Sequence, residues 1–239
     1  MIKLFKYISL SIVTLYLIYS SNLFAGKILK YDIKKQESLH DNSVLFFMHG
    51  WGSSKKWYKE IISEFGDDFT IVILQAPYRM GWFSGKFSWY EWQIVDGDTT
   101  SNQEQINFSS QSVLRTINHI IRKENLDIKN VFIGGQSQGA IMACKLASEH
   151  PESMRGFFAH NGRLPVVFKP VNSDSFSKLH GLILNGKYDK VLPPKYAKSI
   201  VNKFKNLGVN IDSISPEIGH GMPKESWRMI QEWINSIIR

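Results

Sequence analysis

The sequence predicts a single α/β domain in which a mostly parallel, doubly wound sheet is flanked by helices. Three observations lead there. Short apolar runs alternate with amphipathic helical patterns from residue 26 to the end. Runs such as Val44-Leu45-Phe46-Phe47-Met48 are apolar at every position, which suits strands buried on both faces of a parallel sheet. Glycine-containing turns close the runs, at the carboxyl ends where open α/β sheets gather their sites.

Composition bounds the reading. With 239 residues, 43% of them hydrophobic and 21% charged, the chain can bury one sizeable core. The formal charge of +8 is dispersed, so no Lys/Arg block argues for nucleic acid. The basic balance does suit contact with anionic surfaces such as lipid headgroups. The single cysteine, Cys144, excludes an intramolecular disulfide and a thiolate metal site, and it is expected as buried packing. No histidine or carboxylate cluster has ligand spacing, so no metal site is expected.

Residues 1–25 read as a leader. Lys3 and Lys6 precede an apolar core from Tyr7 to Tyr19, and Ser20-Ser21-Asn22-Leu23-Phe24-Ala25 ends on a small residue. That is the layout of a secretory signal peptide cleaved after Ala25, which would send residues 26–239 to the periplasm or the exterior. An uncleaved membrane anchor is the alternative, although the apolar core is short for a span of about 20 residues.

The elements follow in order. Lys27 to Ile33 alternates enough for an edge strand. Val44–Met48 is a buried strand leading into His49-Gly50-Trp51-Gly52, and a helix is expected over about Lys55 to Phe65. Thr70 to Pro77 is the next buried strand. Tyr78 to Trp92 then crowds seven aromatic residues around Gly81 and Gly85. Beside a site, Trp82, Phe83, Trp89 and Trp92 would line an apolar substrate groove; otherwise the stretch packs on the domain. Gln103 to Asn125 is helical, with Ile106, Val113, Leu114, Ile117, Ile120 and Ile121 largely on one face. Val131–Ile133 is a strand and Gln138 to His150 a helix stopped by Pro151. Gly156–Ala159 and Gly181–Gly186 read as strands, Pro194 to Leu207 as a helix, Val209 to Ser215 as a strand and Ser226 to Ile238 as a closing helix.

The chemistry centres on Gly135-Gln136-Ser137-Gln138-Gly139. A serine between glycines at a sharp strand-to-helix turn is the nucleophile-elbow pattern: the strained turn lifts the hydroxyl above the sheet edge. The same turn aims the Gln138 N–H at a developing oxyanion, and the Trp51 N–H is the natural second donor. Asp189 and His220 each follow a strand and precede a helix, and the order Ser137, Asp189, His220 is the order expected of such an enzyme. His220 would act as the base and Asp189 would orient it. His160 is the rival base, Asp174 and Asp212 are rival acids, and His49 reads as a brace for its own loop.

On Phe47-Met48-His49-Gly50-Trp51-Gly52, Ser88-Trp89-Tyr90-Glu91-Trp92, Gly135-Gln136-Ser137-Gln138-Gly139-Ala140, Asn161-Gly162-Arg163-Leu164-Pro165, Gly186-Lys187-Tyr188-Asp189 and Gly219-His220-Gly221, the chain resembles the α/β-hydrolase superfamily. Within it, the chain looks like the phospholipase/carboxylesterase group that includes acyl-protein thioesterases. The resemblance implies the α/β-hydrolase fold and a cofactor-free serine esterase acting on a small-molecule ester, thioester or lipid. It carries over Ser137, Asp189 and His220 as the triad, with Trp51 and Gln138 as oxyanion donors. The chain departs from the group at Gln136, where an aromatic residue is usual, at the bulky Trp51, and in its leader. A serine peptidase or amidase and a non-catalytic binding scaffold stay open on the same fold.

Overall fold

The computed structural model describes residues 26–35, 43–59, 69–96 and 98–238. The leader lies outside them, as does most of the helix expected after Lys55. Its described beginning is a 3₁₀ turn, Lys55–Tyr58.

Seven strands form the main sheet: β1 (Tyr31–Lys34), β2 (Val44–Met48), β3 (Thr70–Leu74), β8 (Val131–Gln136), β9 (Gly156–His160), β10 (His180–Leu184) and β11 (Asn210–Ile214). Their order is β1-β3-β2-β8-β9-β10-β11. Only β1 runs antiparallel to its neighbour. The register brings the carboxyl ends level, since Met48 lies between Leu74 and Gly135, and His160 between Gln136 and Leu184. Chain direction across the sheet reverses between β2 and β8, so the turns after these two strands open at the switch point.

Alternation within the strands divides the core in two. Val44, Phe46 and Met48 of β2 join one apolar cluster, whereas Leu45 and Phe47 join the other. The first cluster is closed by three helices: α1 (Gln103–Glu124), α2 (Gln138–Glu149) and α3 (Pro194–Asn206). The second is closed by α4 (Lys224–Ile238) through Trp227, Ile230, Trp233 and Ile234. Asn102 caps α1 by accepting from the Gln105 N–H at 3.1 Å, and Asn125 ends it in the left-handed region at φ 53°. Cys144 is fully buried in α2.

Two elements differ from expectation for identifiable reasons. The segment from Lys27 to Lys30 is not strand. Its donors go to helix side chains, Lys27 N–H to Ser112 Oγ at 3.0 Å and Leu29 N–H to Thr116 Oγ1 at 2.9 Å, so pairing starts only at Tyr31. The aromatic stretch is also not one loop. It holds a hairpin of β4 (Tyr78–Arg79) and β5 (Phe87–Ser88), and its end enters a second hairpin of β6 (Trp92–Val95) and β7 (Asp98–Ser101).

Candidate active site

The turn between β8 and α2 is built from what its glycines lack. A Cβ on Gly135 would stand 2.5 Å from the backbone of Gly139 and of Met48, and one on Gly139 would stand 2.0 Å from the Met48 carbonyl oxygen. With both absent, helix and strands meet backbone to backbone, and Ser137 takes φ 55°, ψ −113° between them. Its N–H donates to the His160 carbonyl at 2.9 Å, which pins the strained residue to the neighbouring strand.

Three side chains converge above this turn. His220 Nε2 lies 2.9 Å from Ser137 Oγ, and His220 Nδ1 lies 2.8 Å from Asp189 Oδ2. Asp189 Oδ1 accepts the N–H groups of Val191 and Leu192, each at 2.8 Å, and its carboxylate is out of contact with solvent. That carboxylate holds the imidazole with its proton on Nδ1 and leaves Nε2 to accept the serine proton. Hydroxyl, imidazole and carboxylate in this series form a relay able to generate an alkoxide-like nucleophile.

Two residues hold the relay from behind, and sequence reasoning assigned a role to neither. Asn161, buried at φ 48°, accepts from the Gly186 N–H at 2.8 Å and donates to the carbonyls of Gly219 at 3.0 Å and Gly221 at 3.3 Å. One amide thus ties the acid loop to the base loop. Gln136 donates through Nε2 to the His220 carbonyl at 3.0 Å.

The donor side is equally braced. His49 is fully buried and held neutral, its pKa lowered to about 4 by burial. Its Nδ1 donates to the Gly50 carbonyl at 2.8 Å, while Nε2 accepts from the Ala76 N–H at 3.2 Å and the Gln75 amide at 3.0 Å. The Gly52 N–H is taken by the Phe87 carbonyl and the Ser53 N–H by the Gly50 carbonyl. The Gln138 N–H stands at the first turn of α2, where backbone donors have no partner within the helix. The Gln138 side chain is engaged on the aromatic segment instead, bonding the Trp89 N–H and the Tyr90 carbonyl, each at 2.8 Å.

Ser137 and His220 open into a cavity of about 410 Å³. Its mouth is flanked by Trp51 and Trp92, whose rings meet edge-on with centroids 6.0 Å apart. Ile94, Ile141, Val191 and Tyr196 add apolar wall. Of the four residues expected to form a groove, only Trp92 lines this cavity. Trp89 is fully buried, its indole N–H donating to the His49 carbonyl at 2.8 Å, so it is a strut under the loop rather than a wall. Trp82 and Phe83 stand in solvent, 86% and 99% exposed, on the turn of the β4–β5 hairpin. Pairing of β4 with β5 leaves Trp82 and Phe83 on the intervening turn, outside the cavity lining, a consequence that aromatic content alone does not reveal.

The rivals are placed elsewhere. His160 is fully buried, bonded through Nε2 to Ser226 Oγ at 2.9 Å, and burial drives its pKa down to about 3. Asp212 accepts from the Trp233 indole at 3.1 Å, and Asp174 opens a 3₁₀ turn, Asp174–Lys178. Among the described residues no three histidine, cysteine or acidic side chains gather in a way that could hold a metal ion.

Comparison with known proteins is consistent with this architecture. The family model described as Phospholipase/Carboxylesterase matches residues 31–238. The chain is 24% identical over 215 residues to acyl-protein thioesterase 1 homolog 1 of Dictyostelium discoideum, covering 86% of this chain and 95% of that one. It is 25% identical over 211 residues to lysophospholipase-like protein 1 of Mus musculus, covering 81% and 86%. Among solved structures, the Bacillus cereus carboxylesterase superposes with a TM-score of 0.75 at 15% identity, over 92% of this chain and 98% of that one.

Proposed function

The chain belongs to the phospholipase/carboxylesterase family of α/β-hydrolases and is thereby a hydrolase of the ester-cleaving kind, and from this premise we propose that it cleaves carboxylic esters through an acyl-enzyme on Ser137. The observation that carries the reading is the unbroken series from Asp189 Oδ2 to His220 Nδ1 at 2.8 Å and from His220 Nε2 to Ser137 Oγ at 2.9 Å. His220 Nε2 takes the hydroxyl proton as Oγ bonds to the ester carbonyl carbon. The carbonyl oxygen becomes an oxyanion between the N–H groups of Trp51 and Gln138. His220 then returns the proton to the departing alkoxide, and the acyl group stays on Oγ. Water, deprotonated by the same imidazole, attacks that acyl group, releases the acid and restores Ser137. The apolar walls around Ser137 favour an ester or lipid substrate over a peptide.

Turnover of p-nitrophenyl esters of increasing acyl length, with and without Ser137→Ala, tests this. The variant should lose roughly 10⁴-fold or more in kcat while keeping its melting temperature. Equal rates for the two proteins would defeat the proposal. A folded wild type inactive on every ester but active on amides would transfer it to amide chemistry. Failure of a fluorophosphonate probe to label Ser137 would point to the binding scaffold.

Two further parts of the reading rest on sequence and surface. The leader directs export and is removed after Ala25, so N-terminal sequencing of the exported protein should begin at Gly26. Retention of Met1 would make the segment an anchor instead. The exposed Trp82 and Phe83, with Arg79 and Lys86 in the same hairpin segment, support contact with an anionic lipid surface.

A further inference from the structure

We propose that Arg163 forms an anion-binding subsite inside the cavity that holds Ser137, so that the preferred ester carries a carboxylate or phosphate of its own. This deepens the esterase reading and rests on it. Among the described residues that line this cavity, Arg163 is the one side chain besides the His220 imidazole that can carry charge at neutral pH. The rest of the lining is aromatic, aliphatic or neutral polar.

The guanidinium is underused. It presents five N–H donors, and the hydrogen bond it makes is from Nη1 to the Leu164 carbonyl at 3.0 Å. Among the described residues no carboxylate lies within ion-pair distance of it. Other cations of the molecule do find partners, as in Lys145 with Glu149, Lys187 with Glu217 at 3.1 Å and Lys35 with Glu124 at 2.6 Å. A half-buried guanidinium left without an anion bears a desolvation cost that an incoming oxyanion relieves.

Placement is rigid. The left-handed turn at Asn161 is fixed by that residue's bonds to both relay loops, and Gly162 packs so closely on Ala140 that a Cβ there would stand 2.6 Å from the alanine methyl. The next residue, Arg163, is therefore presented to the cavity from a backbone already locked by the relay. Its charge reaches the wall beside it: burial raises the Tyr90 phenol to about 12, and the Arg163 charge pulls the other way. The acidic side chain of the relay is turned away from this role: Asp189 keeps its charge, but both its oxygens are taken up by two backbone N–H groups and the imidazole.

The test compares substrates matched in length that differ only in charge. Mono-p-nitrophenyl glutarate against p-nitrophenyl valerate places a carboxylate on the acyl side. Lysophosphatidic acid against monoacylglycerol, read by fatty-acid release, places a phosphate on the alcohol side. Wild type should favour the charged member of at least one pair by roughly ten- to a hundredfold in kcat/KM. Arg163→Met should abolish that preference while leaving the neutral ester's rate within about threefold, and Arg163→Lys should keep part of it. Which pair responds identifies the source of the anion. No preference for either charged ester, or a preference unchanged in Arg163→Met, overturns the subsite. Loss of all turnover in wild type would instead reject the esterase reading, so the two failures are distinguishable. If Arg163→Met misfolds by its melting profile, Arg163→Lys and the salt dependence of the wild-type preference decide in its place.

Discussion

Asn161 illustrates how much of the site depends on a residue that does not line its cavity. Its amide joins the acid loop at Gly186 to the base loop at Gly219 and Gly221, so its loss frees both to drift. Asn161→Ala should lower kcat by about ten- to a hundredfold with KM changed far less, since misplacement by an ångström costs about that much. Asn161→Asp, which keeps the acceptor for Gly186 but loses the donors to Gly219 and Gly221, should fall between. An unchanged kcat for Asn161→Ala would remove this positioning role. Ser137, Asp189 and His220 were legible because each obeys a rule of order and placement. Asn161 and Arg163 sit just after β9 and so satisfy half of that rule. The other half was hidden, because a side chain that works by hydrogen-bonding distant loops has no pattern in a linear chain.

At the scale of elements, legibility followed burial. β2, β3, β8, β9 and β10 are apolar runs because both faces are covered, and the sequence places each of them, β2 to the residue but the ends of β3 and β8 three residues off. The hairpins were not read, because β4 and β5 are two residues each and are held by contacts made elsewhere, such as the bridge between Ser53 and Phe87. Their exposure carries its own expectation. Trp82 and Phe83 stand exposed on the hairpin turn, and Lys27, Lys30, Lys56 and Arg79 line an open cavity beside Phe87 at the hairpin base, so the membrane contact proposed above can be tested there. In vesicle flotation the mature protein should bind phosphatidylglycerol-containing vesicles more than phosphatidylcholine ones. The double variant Trp82→Ser, Phe83→Ser should bind several-fold less while hydrolysing a soluble ester at the wild-type rate. Equal flotation of the two proteins would exclude the hairpin as the contact.

The whole molecule keeps two neutral histidines in its interior, one on each side of the elbow strand. His49 and His160 have pKa values lowered by burial to about 4 and about 3, against an unfolded value near 6.5. Between those limits the unfolded chain binds protons that the native chain refuses, so native stability falls as pH drops below about 6.5. At pH 5 each histidine costs on the order of 2 kcal/mol relative to pH 7.5. Thermal melting should therefore show a marked loss between these pH values, and His160→Asn should flatten the slope even if it lowers stability throughout. A wild-type melting temperature indifferent to pH over this range would count against the buried neutral state.

The fastening of the segment after the leader adds a constraint of timing. Gly26 is buried against α1, so near that a Cβ would stand 2.4 Å from the Ser112 nitrogen, and Arg115 donates to its carbonyl at 2.8 Å. A peptidase that cuts between Ala25 and Gly26 must draw this stretch into its own cleft as an extended strand. Once α1 has docked, the stretch is no longer free to leave. Were this bond the cleavage site proposed above, the cut would have to precede closure of the domain, and a chain that folded first would keep residues 1–25.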